Sequence, residues 1–333
     1  MAREIEELND VASAFMQSQV ILVANYYDLF TRIDGRRMPA EEIAALLGTD
    51  GRATRMLLDA LAAMGYVRKC DGTYENADIS RRLLVAGSPF YQGDSLRHRY
   101  RLWFRWSALR DVMKTGWPSE NLTVEYNESE GQRTKNFTLA MANSGRVRAA
   151  EVARALDLSG VRVLLDVGGG PGTYALAFAR QFPQLRAVVY DLPEVCAIAQ
   201  GEIARAGLSE RVTTRAGDIL VDELGRGYDL IFVSNLVHSY SLAEVRGIFC
   251  KAFEALTPGG RVVVKDIFAH EDRSGPLFSL LFAINMLVNT KGGDAYTFSQ
   301  IEGVLTDAGF TKLKREKLTE QSWMIFGHNG GDS

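Results

Sequence analysis

From residue 161 onward the sequence alternates apolar runs of strand length with amphipathic stretches of helix length. VRVLLDVGG, RAVVYD, RVTTRAGD, YDLIFVSN and GRVVVKDIF read as strands. GTYALAFARQFP, VCAIAQGEIARAG and LAEVRGIFCKAFEAL read as helices among them, and a late pair, KLKREKL and SWMIFGH, closes the series. Near-continuous hydrophobicity marks a strand covered on both faces. Strands that alternate with helices over this length predict an α/β fold built on a doubly wound parallel sheet.

In such a sheet the carboxyl ends of the strands share one edge, and ligands bind there at the topological switch point. The first strand runs into Asp166-Val-Gly168-Gly-Gly170-Pro-Gly172. Glycines let the backbone turn tightly and approach a ligand closely, and the helix that follows offers free N–H groups at its start. A dinucleotide fingerprint needs Gly or Ala at the sixth position of Gly-x-Gly-x-x-Gly. Counted from Gly168 that position is Thr173, so the fingerprint fails.

Two more strands end in aspartate. Asp191 closes RAVVYD, 25 residues after Asp166, and Asp218 closes RVTTRAGD, a further 27 on. A carboxylate at Asp191 can accept both protons of a ribose diol. Taken alone, Asp191 also suits the ribose of NAD. An isolated Asp at a strand end is most often a helix cap; three in succession behind a glycine loop point to a nucleoside-bearing ligand.

The first part of the chain is different. Apolar residues at helical spacing predict a helix over 11–30, with Phe15, Val20, Leu22 and Tyr26 on it. PAEEIAALLG reads as a short helix with Pro39 in its first turn and Gly48 at its end, and GRATRMLLDALAAMG as another ended by Gly65. YVRKC and TYENA flank Asp71-Gly72, a strong hairpin signal. Helices followed by a hairpin give the order of a winged helix. The domains are therefore placed at 1–105 and 106–333, with 106–150 a helical linker.

A winged helix raises the question of DNA. Residues 51–110 carry eleven Lys/Arg against five Asp/Glu, but residues 1–50 carry four against nine. The whole chain is at −3, which disfavours a nucleic-acid-binding surface overall. In HRYRLWFRW, Arg97, Arg101 and Arg105 follow at i+4 opposite Tyr100, Trp103 and Trp106, and the preferred reading is an amphipathic helix with a solvated face. Three scattered cysteines predict no disulfide framework. The acidic start MAREIEELND and the lack of an apolar run of ~18 residues predict a cytoplasmic protein without a membrane span. The HNGGDS tail is expected to be frayed.

LLDVGGGPG, VVYDLPEV, AGDIL, VSNLVHSY and LTPGGRVVVKD together resemble the class I S-adenosylmethionine-dependent small-molecule O-methyltransferases. These include the plant caffeate and flavonoid enzymes, acetylserotonin methyltransferase and bacterial natural-product members. The resemblance covers nearly the whole chain. It implies a Rossmann-like methyltransferase domain preceded by a mostly helical, winged-helix-like dimerisation domain, hence a homodimer. It implies S-adenosylmethionine as cofactor and S-adenosylhomocysteine as product. Asp166, Gly168 and Gly170 would hold the amino-acid end of the cofactor and Asp191 the ribose, with Leu192 beside it. Gly217, Asp218 and Ile219 would receive the adenine, and Ser234 would stand at the cofactor.

In that family a histidine just after the fourth strand is the catalytic base, and here it is His238. Neutral imidazole suits removal of a hydroxyl proton near pH 7. Asp266 matches one of two acidic residues that flank the histidine. The second position, in a Gly-Gly-x-Glu-Arg-Thr segment, reads Gly292-Gly293-Asp294-Ala295-Tyr296-Thr297, so Ala295 replaces the glutamate. Ser239 and Tyr240 replace the usual Asp and Trp, and Ser234 replaces a lysine that contacts the cofactor in plant members. Phe137 and Met141 match a pair that touches the acceptor, and Phe282 and Met286 repeat its spacing.

The expected function is methyl transfer to a hydroxyl of an aromatic or polyketide-like small molecule, without a metal. The loss of a carboxylate leaves room for C-methylation or for a member of the fold that binds the cofactor without transferring methyl. A ligand-sensing DNA-binding regulator and an NAD-dependent oxidoreductase are the alternatives of other classes.

Overall fold

A computed structural model of the chain describes residues 1–119 and 130–330. The residues 120–129 of the expected linker, and residues 331–333 of the tail, lie outside the described residues. The chain divides into two compact units, Met1–Trp103 and Phe104–Ser333.

The first unit opens with α1 (Ala2–Ser13), α2 (Phe15–Tyr26) and α3 (Leu29–Arg32). The single helix expected over 11–30 is therefore broken twice. Helix α1 ends at Ser13, and Asp28 adopts a left-handed conformation, φ 54°, between α2 and α3. The apolar period runs through both breaks and hides them. Then come β1 (Met38–Pro39), α4 (Ala40–Leu47), α5 (Gly51–Ala63), β2 (Val67–Cys70), β3 (Thr73–Asn76) and α6 (Asp78–Leu83). Gly48 caps α4 at φ 70°, where an L side chain is strained. Asp50 caps α5 by accepting from the Ala53 amide at 2.8 Å. Strands β2 and β3 pair antiparallel with Cys70 opposite Thr73. The two residues between them, Asp71 and Gly72, both have positive φ (49° and 77°), as a tight hairpin turn demands. The core of this unit is Leu29, Phe30, Ile33, Ile43, Leu58, Leu61, Val67 and Tyr74.

Helix α7 (Gly93–Ser107) carries the arginine stripe, and it is not a solvated face. Arg97 is half-buried and pairs with Asp94 at 2.8 Å. Arg105 donates to the Ser119 carbonyl at 3.3 Å. Burial first, then the charges of Arg101 and Arg99, push His98 down to about 4. Tyr100 packs on Tyr26 of α2 with ring centroids 5.1 Å apart, so the aromatic positions are spent on packing.

After α7, α8 (Leu109–Thr115) and α9 (Glu130–Ala155) lead into the sheet. Its elements are β4 (Val163–Val167), α10 (Thr173–Gln181), β5 (Arg186–Asp191), α11 (Pro193–Arg205), β6 (Val212–Ala216) and β7 (Tyr228–Ser234). They continue with α12 (Leu242–Ala255), β8 (Leu256–Asp266), α13 (Leu277–Asn289), α14 (Phe298–Asp307), β9 (Phe310–Lys317) and β10 (Trp323–Asn329). Helix α14 has no counterpart among the expected helices, although a capping box at Thr297 and Gln300 starts it. His328 and Asn329, expected to be frayed, are the end of β10, paired with Thr311 and Phe310.

Seven strands lie in the order β6-β5-β4-β7-β8-β10-β9. The first five pair in parallel, and β10 joins β8 and β9 antiparallel. The chain leaves β4 toward β5 and β6, then returns to the other side of β4 as β7. The switch point is thus between β4 and β7, where a crevice opens at the carboxyl edge. One face of the sheet buries Leu164, Phe232 and Val263 under α9, α10 and α11. The other buries Leu165, Ile231, Val262 and Val264 under α12 and α14. Among the described residues, no helix is long and apolar enough to cross a membrane.

Candidate active site

The loop after β4 is shaped by contacts that forbid side chains. A Cβ on Gly168, which has φ 65°, would meet Leu236 at 2.7 Å. A Cβ on Gly169 would meet the Asp166 carboxyl carbon at 2.8 Å. The backbone at Gly168 and Gly169 therefore packs directly on Leu236 and Asp166, and α10 starts at once after Gly172. This is a cradle for a ligand that the backbone must approach closely.

Asp166 is only 1% exposed, and its Oδ2 accepts from the Ala175 amide of α10 at 3.3 Å. Burial pushes its carboxyl up to about 7 against the pull of that hydrogen bond, and Asp191 adds to the rise. Asp166 thus braces the loop against the helix from below. Asp191 ends β5. Its Oδ2 accepts from Gly170 N and its Oδ1 from Leu192 N, both at 2.8 Å. Burial raises its carboxyl too, opposed by those two hydrogen bonds. Each oxygen keeps a further lone pair for a diol.

Past β6, Gly217 N donates to the Asp191 carbonyl at 3.0 Å. A Cβ on Gly217 would fall 2.4 Å from the Tyr190 hydroxyl, so glycine is dictated there. Asp218 is exposed, and its Oδ1 accepts from Leu220 N at 2.9 Å. Ile219 is buried, while Leu192 stands 42% exposed beside Asp191. Lys251 of α12 staples this loop by donating to the carbonyls of Ile219 (2.9 Å) and Asp222 (3.0 Å). Tyr240 completes the neighbourhood: burial chiefly, then the charges of Asp218 and Asp191, raise its phenol. The carboxylate edge, the glycine cradle and the apolar Ile219 fit a nucleoside with an amino-acid tail, the shape of S-adenosylmethionine.

His238 sits on the 3₁₀ turn Val237–Ser239 that follows β7. Adjacent parallel strands bring the end of β8 beside it, and His238 Nδ1 lies 2.7 Å from Asp266 Oδ1. The same oxygen accepts from Ile267 N at 2.8 Å. The other, Oδ2, is buried without a partner among the described residues. With the Nδ1 proton held by the carboxylate, neutral imidazole carries its lone pair at Nε2. Phe282 of α13 meets the imidazole edge-on, centroids 4.8 Å apart. Met286, one turn further, is buried. Phe137 and Met141 on α9 stand 48% and 37% exposed, and their part in a pocket rests on the resemblance.

The second acidic position is settled by contacts. Ala295 is fully buried. Asp294 does not turn toward the histidine; its carboxylate takes a two-pronged pair with Arg273 at 2.7 and 3.1 Å. Its backbone amide, by contrast, donates to the His238 carbonyl at 3.0 Å. Trp106, one of the aromatic residues of α7, donates from its indole to Asn285 Oδ1 of α13 at 3.0 Å.

Two residues of this region escape sequence reasoning, Lys251 and Lys265, while Tyr240 stands out in the sequence only as a replacement for the usual Trp. Lys265, the penultimate residue of β8, is only 2% exposed, and its Nζ lies 3.1 Å from Asn235 Oδ1. Among the described residues, no group of three or more His, Cys, Asp or Glu is placed to hold a metal.

Comparison with known proteins bears on the whole chain. Residues 112–311 match the model of the O-methyltransferase domain, and residues 9–86 match that of the O-methyltransferase dimerisation domain. The chain is 32% identical over 310 residues to 3-hydroxy-5-methyl-1-naphthoate 3-O-methyltransferase of Streptomyces sahachiroi, covering 92% of this chain and 90% of that one. It is 28% identical to the L-tyrosine C(3)-methyltransferase of Streptomyces lavendulae, covering 95% of this chain and 88% of that one. The crystal structure of human N-acetylserotonin methyltransferase in complex with SAM is similar at a TM-score of 0.88 and 26% identity, over 98% of both chains.

Proposed function

We propose, from the premise that this chain belongs to the O-methyltransferase family, that it moves the methyl group of S-adenosylmethionine to a hydroxyl of an aromatic or polyketide-like small molecule. His238 is the general base of this reading, Asp266 its positioning residue, and the working form is a homodimer. The observation that carries the reading is the 2.7 Å contact of His238 with Asp266 at the carboxyl edge of β7 and β8, next to the glycine cradle.

When bound, S-adenosylmethionine supplies an electrophilic methyl on its sulfonium. Everything else falls to the chain. Gly168 and Gly170 give the backbone approach, Asp191 takes the ribose hydroxyls, and Gly217, Asp218 and Ile219 take the base. Leu192 and Ser234 line the same edge. His238 Nε2 accepts the acceptor's hydroxyl proton, and Asp266 holds the resulting imidazolium in place, as a carboxylate does for histidine in other general-base pairs. Phe282 orients the ring, with Met286 behind it and Phe137 and Met141 on α9 completing an apolar wall. Such help from a base contributes about 10²–10⁴ in rate; alignment of acceptor and methyl supplies much of the remainder.

One observation favours a second reading of the acceptor. With Ala295 in place of a carboxylate and Asp294 tied to Arg273, His238 has, among the described residues, one carboxylate partner rather than two. That suits an acidic phenol or an activated ring carbon, and C-methylation is the alternative.

Calorimetric titration with S-adenosylmethionine and S-adenosylhomocysteine, followed by a screen of phenols with tritiated methyl donor, tests the proposal. Saturable binding and label on a phenolic oxygen support it, and label on carbon selects the alternative. Absence of binding to a folded protein overturns it and brings back the NAD and DNA readings.

A further inference from the structure

We propose that Lys265 is a cofactor-binding residue whose buried ammonium receives the carboxylate of the amino-acid end, an inference that rests on the S-adenosylmethionine reading above. Pleating decides which way this side chain goes. Val262 and Val264 belong to the core under α12, and Val263 to the core under α10. Lys265 therefore stands on the α10 face, opposite its neighbour Asp266. Among the described residues it has no carboxylate within ion-pair distance. Its one hydrogen-bond acceptor there is the neutral Asn235 Oδ1, and Nζ lies 5.6 Å from the centroid of the Tyr174 ring.

A cation taken out of water without a counter-ion is costly, and a methionine of similar length would pack there without that cost. Burial lowers the ammonium to about 8, Arg148 of α9 acts in the same direction, and Asp266 opposes them. The site is therefore short of a negative charge. Its surroundings say where that charge comes from. Asn235 follows β7 at φ 52°, and the next residue, Leu236, packs where a Gly168 Cβ would be. Tyr174 is the second residue of α10, directly after the glycine loop. Lysine, asparagine and cradle thus form one wall at the switch point, on the side where the first-turn amides of α10 also favour an anion.

The test compares two ligands by calorimetry on the full chain. S-adenosylhomocysteine carries the amino-acid carboxylate; 5′-methylthioadenosine lacks that end altogether. Lys265→Met is expected to weaken S-adenosylhomocysteine at least tenfold and leave 5′-methylthioadenosine within twofold. Its melting temperature should equal or exceed the wild type's, since a buried charge is removed, and Lys265→Arg should recover part of the lost affinity. Unchanged S-adenosylhomocysteine affinity, or equal weakening of both ligands, overturns the assignment while leaving the cofactor reading standing. Binding of neither ligand by the wild type removes both.

Discussion

His238 Nδ1 and Asp266 Oδ1 are 2.7 Å apart, and the carboxylate is 1% exposed. The pair fixes which nitrogen of the imidazole is free. His238→Ala should lower turnover by about 10²-fold or more while cofactor affinity stays within a few-fold. Asp266→Asn is the sharper variant. An asparagine amide would donate to Nδ1, move the ring proton to Nε2 and block the base, so a loss of about 10²–10⁴ in kcat is expected with KM for the donor unchanged. Steady-state kinetics at saturating donor reads both, and a wild-type rate in His238→Ala would remove the base role.

Asp294 offers the matching control. It is adjacent to the position of the missing carboxylate, but Arg273 holds its side chain away. Asp294→Asn should leave kcat within about threefold and the pH–rate profile unmoved, because a half-exposed ion pair contributes little and its amide contact to the histidine is retained. A shifted basic limb in that profile would show that Asp294 does reach the base.

What could be read from the sequence follows a physical rule. The central strands β4, β7 and β8 were legible because both their faces are buried, and the Asp71-Gly72 hairpin because positive φ selects its residues. Asp166 and Asp191 stand out in the sequence because they lie at the ends of apolar runs, whereas Asp218 and His238 stand out through the resemblance. Lys265 does not. In VVVKD it looks like a charge escaping at a strand end, and its place between Ser234 of β7 and Met324 of β10 closes it in. The direction of Asp294 likewise depends on Arg273, 21 residues away in the chain.

Asp166 gives a pH signature. Its carboxyl is raised from 3.8 unfolded to about 7 folded. The folded state therefore holds the proton more tightly. This group's contribution to stability is greatest below about pH 4, falls as pH rises toward 7, and stays unfavourable above it. Asp166→Asn removes the charge but keeps an oxygen for Ala175 N. It should melt above the wild type at pH 8, by on the order of a few kcal/mol, and the gain should shrink markedly at pH 5. Scanning calorimetry at the two pH values decides it; an equal shift at both would show that Asp166 is already ionised in the fold at pH 5 and that burial does not raise its carboxyl.

Gly293 is packed against the base from behind. An added Cβ would lie 2.2 Å from the His238 carbonyl and 2.6 Å from Thr290 Oγ1. Gly293→Ala should cost about 1–3 kcal/mol and depress kcat more than cofactor affinity, because the histidine must move. Gly303 in α14 is the counterpart with nothing within 4 Å, and Gly303→Ala should stabilise by about 0.5–1 kcal/mol. Equal behaviour of the two variants in urea melts would contradict the packing argument.

Helix α1 buries none of its residues in the single chain. Ile5, Leu8 and Val11 are 53%, 67% and 77% exposed, and their spacing of three places them along one side, continued by Phe15 at 48%. An apolar stripe of this length on a helix with no core beneath it marks an interaction surface, and the matched dimerisation model begins at residue 9. The double variant Leu8→Glu/Val11→Glu should therefore shift sedimentation from dimer toward monomer. The far-ultraviolet spectrum of the remainder should be unchanged, since neither side chain contributes to the core of its own subunit. A variant that sediments as the wild type does would place the dimer contact elsewhere in the first unit.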